Sequence, residues 1–301
     1  MNPSAFFFVS QREDGVWDLV DGLQRFSTIL SFMGELKDEN GNKLPPFEMK
    51  EGDYLKSLKG ILWTDESSFT KAMKLSFRRE KIDFKIIKKE STPDTKFELF
   101  KRINTGGATL TDQEVRNCLL LMANRDFYKE LERLSSNHDF LNCISLSDDK
   151  MLSQYHSELV VRFIVFYKCN WNSIETMNIP DLTSFLDDRI TQIAQGWNTR
   201  DDVINIFERT FKLLNMRLGE NSFRKYFTNE KRYKGGFSIA LFEAISVGIA
   251  RNINTAELDD DLENKIKNLS EDSVFLSSSG AGVRASSRIV KTIPRAIELF
   301  S

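Results

Sequence analysis

The segment Asp21-Gly22-Leu23-Gln24-Arg25 allows few backbone solutions, because a short apolar run leads into it and a helical period leaves it. Residues 5–9 and 16–20 are short, partly β-branched runs around the polar connector 10–15, a pattern that predicts two paired strands. From Leu23 onward the apolar residues Phe26, Ile29, Leu30, Met33 and Leu36 recur at helical spacing, so a helix starts directly after Asp21-Gly22 and ends near residues 34–37. A strand that becomes a helix across so short a turn points unsatisfied N–H groups of the first helical turn past the strand end.

Intervals of 100° place Gln24, Ser27, Thr28, Ser31 and Glu35 on one polar face of this helix, with Arg25 at its border. Two readings follow. Asp21 is a natural N-cap and Gln24 completes a capping-box pattern, which would make the segment a helix start and nothing more. Arg25, however, is a cation in the first turn, where the positive end of the helix dipole disfavours it. Asp21 can supply the compensating charge, or a bound anion can, held by the N–H groups of Gly22 and Leu23 with Arg25 as its clamp.

Further along, residues 82–87 alternate as a strand, a helix follows from about Thr95, and Asn104-Thr105-Gly106-Gly107 ends it. A new helix opens at Thr111, where Thr111 and Glu114 form a second capping-box pattern. Consecutive glycines also let backbone N–H groups approach a ligand, with Arg102 and Asn104 adding directed hydrogen bonds. Beyond Leu121 the periodicity predicts helices near 125–136, 151–169, 180–196, 200–218, 237–252, 257–269 and 285–300, with a flexible Gly/Ser loop at 269–285. The expected fold class is α+β: a mixed region over 1–120, then a larger all-helical region over 121–301.

Length and 41% hydrophobic content suffice for real cores. A net charge of −2 gives no global field towards nucleic acid or an anionic membrane, so any nucleic-acid contact must be local. Cys118, Cys143 and Cys169 are widely separated, which fits buried thiols in a reducing cytosol. No apolar run approaches the ~20 residues of a membrane span, so a soluble cytoplasmic protein without membrane partners is expected.

Asp21-Gly22-Leu23-Gln24-Arg25-Phe26-Ser27-Thr28-Ile29 resembles the "DGQQRLTTL" signature of one family. In the same order, Phe100-Lys101-Arg102-Ile103-Asn104-Thr105-Gly106-Gly107 with Leu110 and Glu114 resembles that family's "F-x-R-x-N-x-G-G-x-x-L-x-x-x-E". The family is domain of unknown function 262, found in the N-terminal part of GmrSD-type type IV restriction enzymes and related phage-defence proteins. The resemblance implies a ParB/sulfiredoxin-like fold and nucleotide binding, with hydrolysis, that controls cleavage of foreign DNA. Carried over by residue, it implies Asp21, Gln24 and Arg25 as catalytic. It implies Gly22, Arg25, Ser27, Thr28, Arg102, Asn104, Gly106 and Gly107 around a nucleoside triphosphate with Mg²⁺. Leu23 replaces the family's first glutamine, a departure that bears on hydrolysis more than on phosphate binding. The family's usual "iPxFQRxYxW"-like strand and following helix have no counterpart before residue 5, which reads as a truncation or a dispensable element.

Basic residues gather in three places. Residues 71–102 carry eleven Lys/Arg against five acids. Residues 222–236 carry Arg224, Lys225, Lys231, Arg232 and Lys234 against Glu230, interleaved with Phe223, Tyr226, Phe227 and Tyr233, and are the preferred DNA contact; Arg284, Arg288, Lys291 and Arg295 form the third group. His138 and His156 stand far apart with no second His or Cys nearby, which argues against an HNH nuclease and leaves cleavage to a separate nuclease subunit or, as the lesser alternative, to Mg²⁺ held for nicking by Asp21 and neighbouring carboxylates. There is no Walker A lysine motif, so an NTPase activity would not be of the P-loop kind. The acidic pairs Asp148-Asp149 and Asp187-Asp188 and the run 259–261 read as caps or surface groups, not metal ligands. Three readings remain open: a nucleotide-binding component of DNA restriction, a non-catalytic module that binds or senses phage DNA for a separate nuclease, or a decayed, N-terminally truncated remnant with neither activity.

Overall fold

Strands β1 (Phe7–Gln11) and β2 (Trp17–Asp21) pair antiparallel, as the two apolar runs predict. Their connection is closed by Arg12 N–H donating to the Val16 carbonyl and Gly15 N–H to that of Arg12, with Gly15 at a positive φ of 83°. Strand β3 (Phe84–Ile87) joins the other side of β1 in parallel, giving the order β2-β1-β3. Parallel pairing demands a crossover. It contains α1 (Leu23–Phe32) and α2 (Lys71–Arg79), the latter absent from the periodicity reading. The computed structural model describes residues 7–12, 14–21, 23–38, 41–49, 59–67, 69–88, 112–152, 154–173, 179–198, 202–280 and 282–301. The chain divides into two compact units, Met1–Gly107 and Ala108–Ser301.

In the first unit a hydrophobic, largely aromatic cluster of Phe32, Ile61, Trp63 and Phe69 fixes the end of α1, with Phe47, Met33 and Met49 against it. Phe7, Phe26 and Phe84 form a second group that joins α1 to the sheet, with ring centroids 5.5 to 6.1 Å apart. Of the apolar face that the spacing prescribes, Phe26, Ile29 and Leu30 are half-buried, and Phe32, off that spacing, is the buried residue of α1.

The second unit is mainly helical: α3 (Asp112–Ala123), α4 (Arg125–Ser135), α5 (His138–Ile144), α6 (Asp148–Leu152), α7 (Tyr155–Lys168), α8 (Leu182–Gly196) and α9 (Val203–Arg217) precede a short hairpin. The hairpin is β4 (Lys225–Phe227) with β5 (Arg232–Lys234), and α10 (Ile239–Arg251), α11 (Ile253–Ala256), α12 (Leu262–Leu269), α13 (Ser273–Ser279) and α14 (Ala285–Leu299) follow. Every residue of α10 from Ala240 to Ala250 is buried, which makes it the central rod of this core. Gly248 is its point of closest approach to α14: a Cβ there would stand 2.7 Å from Phe300 Cδ2 and 2.9 Å from the Ala296 carbonyl carbon.

The α+β class is observed, with two corrections. The region beyond residue 121 is not all-helical, because β4 and β5 pair antiparallel, with Tyr226 opposite Tyr233. Three-residue strands give alternation too brief to see in a sequence. The Gly/Ser stretch is not an open loop either, since residues 273–279 are helical. Asp272 caps that helix by accepting from Phe275 N–H at 3.0 Å, and buried Phe275 anchors it, so local capping overrides the serine composition. Cys143 and Cys169 are buried thiols, and burial pushes Cys143 up to about 12. The side chain of Cys118 lies outside the described residues.

Candidate functional site

Asp21 is the last residue of β2 and Leu23 the first of α1, so the strand-to-helix turn stands where the motif predicts it. The pairing register shifts beside it: Phe8 faces Asp21 while Val9 faces Leu19, which leaves Val20 as an extra residue in β2. Such a bulge bends and twists the strand locally, and it re-aims the chain just before the helix opens.

Arg25 lies in the first turn of α1, is exposed, and holds its guanidinium carbon 5.1 Å from the centre of the Phe7 ring. Phe7 is 4% exposed, so the cation rests on a fixed aromatic shelf. The first turn of α1 contains no acidic residue. Ser27 is half-buried and Thr28 exposed on the following turn. The side chains of Asp21 and Gln24, the whole of Gly22, and Arg102, Asn104, Gly106 and Gly107 lie outside the described residues, as do Thr111 and the Glu114 side chain. Phe7 is the member of this site that motif reading passes over. Its signal is the phenylalanine run at 6–8, whose strand register sets one ring under the helix start.

The basic segment at 222–236 is a short hairpin with its own internal pairings. Glu230 accepts from Arg232 at 2.7 Å and is gripped by Lys234, and both contacts hold its carboxyl below the usual carboxylate range. Lys225 and Lys234 lie over the Phe227 ring at 5.1 and 5.4 Å, and Lys267 of α12 over Tyr226 at 5.1 Å. Arg224 stands 3.8 Å from Glu220, and Lys231 turns the chain at a positive φ of 51°. Phe223 is not a surface ring for stacking: it is 1% exposed and packs against Phe211, Phe237 and Phe242. Tyr226 and Tyr233 meet edge to face at 5.0 Å. Burial first, then Glu263 and Tyr226, push the Tyr233 hydroxyl up, and that hydroxyl is buried without a hydrogen-bond partner.

Two members of the third basic group are structural. Arg288 donates to buried Glu243 at 2.8 and 3.1 Å, and Arg162 donates to the other oxygen of Glu243 at 2.8 Å. Arg295 joins Asp272 at 2.9 Å and Glu298 at 2.8 Å. Asp187 is neither a cap nor a surface group: it is 6% exposed within α8 and accepts from Arg116 of α3 at 2.7 Å. Among the described residues no group of three or more His, Cys, Asp or Glu side chains could hold a metal ion. No described helix is long and apolar enough to cross a membrane.

Residues 3–121 match the GmrSD restriction endonuclease, N-terminal domain family. No curated protein and no solved structure gives a significant match to the chain.

Proposed function

With residues 3–121 as a GmrSD restriction endonuclease N-terminal domain, we propose that this protein is a nucleotide-binding component of a bacterial DNA-restriction or anti-phage system. Its phosphate site is the β2-to-α1 turn. The observation that carries the reading is the bulged strand end at Asp21 followed by a helix whose first turn holds Arg25 on the Phe7 ring. N–H groups at a helix start attract phosphate oxygens, and a guanidinium beside them adds a paired hydrogen-bond fork. In this reading Arg25 clamps a triphosphate and Gly22, Ser27 and Thr28 supply near contacts. The resemblance adds Arg102, Asn104, Gly106 and Gly107 as further ligand contacts, and Asp21 and Gln24 serve Mg²⁺-dependent hydrolysis by a non-P-loop route. The sheet order β2-β1-β3 with α1 crossing over fits a ParB/sulfiredoxin-like unit. The protein works in the cytoplasm with a separate nuclease subunit on foreign, modified DNA.

The test is calorimetric titration of ATP and GTP, with Mg²⁺, into the full chain and into Arg25→Ala. Losing one bidentate charged contact lowers affinity at least tenfold, on the scale of about 1.5–3 kcal/mol for a hydrogen bond to a charged group. Equal binding in both proteins, or none in either, refutes the reading.

A second reading takes the protein as a DNA-binding module without catalysis, resting on the β4-β5 hairpin. Exposed Lys225, Lys231 and Arg232 beside the Tyr226-Tyr233 pair support it. The hold of Glu230 on Arg232 and Lys234 counts against it, since both cations must exchange that carboxylate for a phosphate.

A further inference from the structure

The hairpin and the last helix spend much of their positive charge on internal carboxylates, through Glu230 on one side and Glu243 and Asp272 on the other. The first unit holds a denser basic stretch, in which Lys71 reaches exposed Glu66 at 3.6 Å. Residues 71–88 contain Lys71, Lys74, Arg78, Arg79, Lys81, Lys85 and Lys88 against Glu80 and Asp83, a local net charge of +5 in a chain of net −2. Lys74 is half-buried, and the other six cations are exposed. The helix that carries four of them, α2, has no buried residue at all.

The helix is also ordered for display. Thr70 caps it by accepting from Met73 N–H at 3.3 Å, and Arg78 lies 5.4 Å from the Trp63 ring centre, which ties the last turn to the aromatic cluster. Phe77 packs at 5.6 Å from Trp63 on the same side. With 100° per residue, half-buried Lys74 falls between Phe77 and Arg78 on the side turned to Trp63, whereas exposed Lys71 and Arg79 lie towards the outer side, about 80° apart. The chain then leaves through Lys81 into β3, where Lys85 is exposed.

We propose that residues 71–88, the exposed face of α2 and its continuation into β3, form a binding surface for the phosphate backbone of duplex DNA. The proposal rests on the restriction reading for its ligand and adds a site outside both the Arg25 turn and the hairpin. Duplex DNA carries one negative charge per ~1.7 Å of axis, a fixed density that suits a dense cluster of exposed cations and releases counterions on contact. An acidic protein segment offers a sparser and more adaptable charge pattern. The surface reads no base sequence, because backbone contacts position a duplex without specifying it.

Fluorescence anisotropy of a labelled, unmodified duplex against the full chain tests the proposal across a salt series, alongside Lys74→Glu/Arg79→Glu/Lys81→Glu. The three reversals leave the Arg78-Trp63 contact in place, and circular dichroism checks the fold. A neutral set, Lys74→Gln/Arg79→Gln/Lys81→Gln, replaces it if the reversed protein does not fold. The expected result is at least a tenfold loss of affinity for the reversals, and a slope of log K against log salt shallower by about 2.7 for three lost phosphate contacts. Nucleotide titration stays as in the parent. Unchanged duplex affinity and slope overturn the proposal, as does the absence of duplex binding by the parent protein. It also fails if polyglutamate of matched charge competes as well as unlabelled duplex. Duplex binding that depends on this face, in a protein that binds no nucleotide, would refute the Arg25 reading and leave this surface standing.

Discussion

Arg25 sits where the dipole of its own helix repels it, with no acidic residue in that first turn and with the Phe7 ring under its guanidinium. In the proposed reading that cation meets an anionic ligand, and the Phe7 ring holds its direction. The identity of Arg25 was legible from the motif, whereas its support was not, because Phe7 reaches it through strand register and not through sequence proximity. Elsewhere single residues carry stability. Glu243 is fully buried yet accepts from two arginines on two other helices, a pairing no local pattern reveals. His156, in the first turn of α7, has its Nδ1 buried without a partner, and burial lowers its pKa below the ordinary value. In the unfolded chain it titrates near ~6.5. Above that pH both states are neutral and His156 leaves stability unchanged. As pH falls below it the unfolded chain takes a proton that the fold refuses, and stability drops until the lower folded value is reached. Urea midpoints at pH 7.5 and 5.5 therefore fall less for His156→Gln than for the parent; an identical fall in both contradicts this account.

Elements were legible in proportion to the length of their period. The strands β1, β2 and β3 follow the apolar spacing to within two residues, α1 starts at Leu23 as expected but ends at Phe32, short of 34–37, and α7 through α10 lie inside the expected spans. Apart from the nine-residue α2, the misses are short pieces whose formation depends on neighbours. Strands β4 and β5 are three residues each, and they close through Lys231 in a left-handed conformation and the Tyr226-Tyr233 contact. Helix α13 forms on a serine-rich stretch because Asp272 caps it and Arg295 of α14 holds the same carboxylate. Helix packing sets a stricter demand at α10 and α14, where Gly248 faces Phe300 and Ala296 with no room for a methyl group. Gly248→Ala must push the two helices apart, and its overpacking cost of about 1–3 kcal/mol exceeds the gain in helix propensity. Equilibrium denaturation reads this as a lower urea midpoint with an unchanged slope, and a variant as stable as the parent would show that the helices can separate freely.

At the scale of the molecule, the division at Gly107 leaves most of the hydrophobic core in Ala108–Ser301, around α7 and α10. That core is large enough for independent folding. A fragment of residues 108–301 is expected to unfold cooperatively with native near-ultraviolet dichroism, whereas a non-cooperative transition would show that it needs the first unit. The first unit contains the bulged strand end, the helix start and the Arg25 shelf, and the family match covers all three. The central claim, that the β2-to-α1 turn binds a nucleoside triphosphate, is tested most directly by amide hydrogen exchange of the full chain with and without ATP or GTP and Mg²⁺. A bound phosphate engages the N–H groups at the start of α1, so peptides covering residues 19–27 gain protection in the parent protein and gain none in Arg25→Ala. Protection confined to other segments, or the same protection in both proteins, would contradict it.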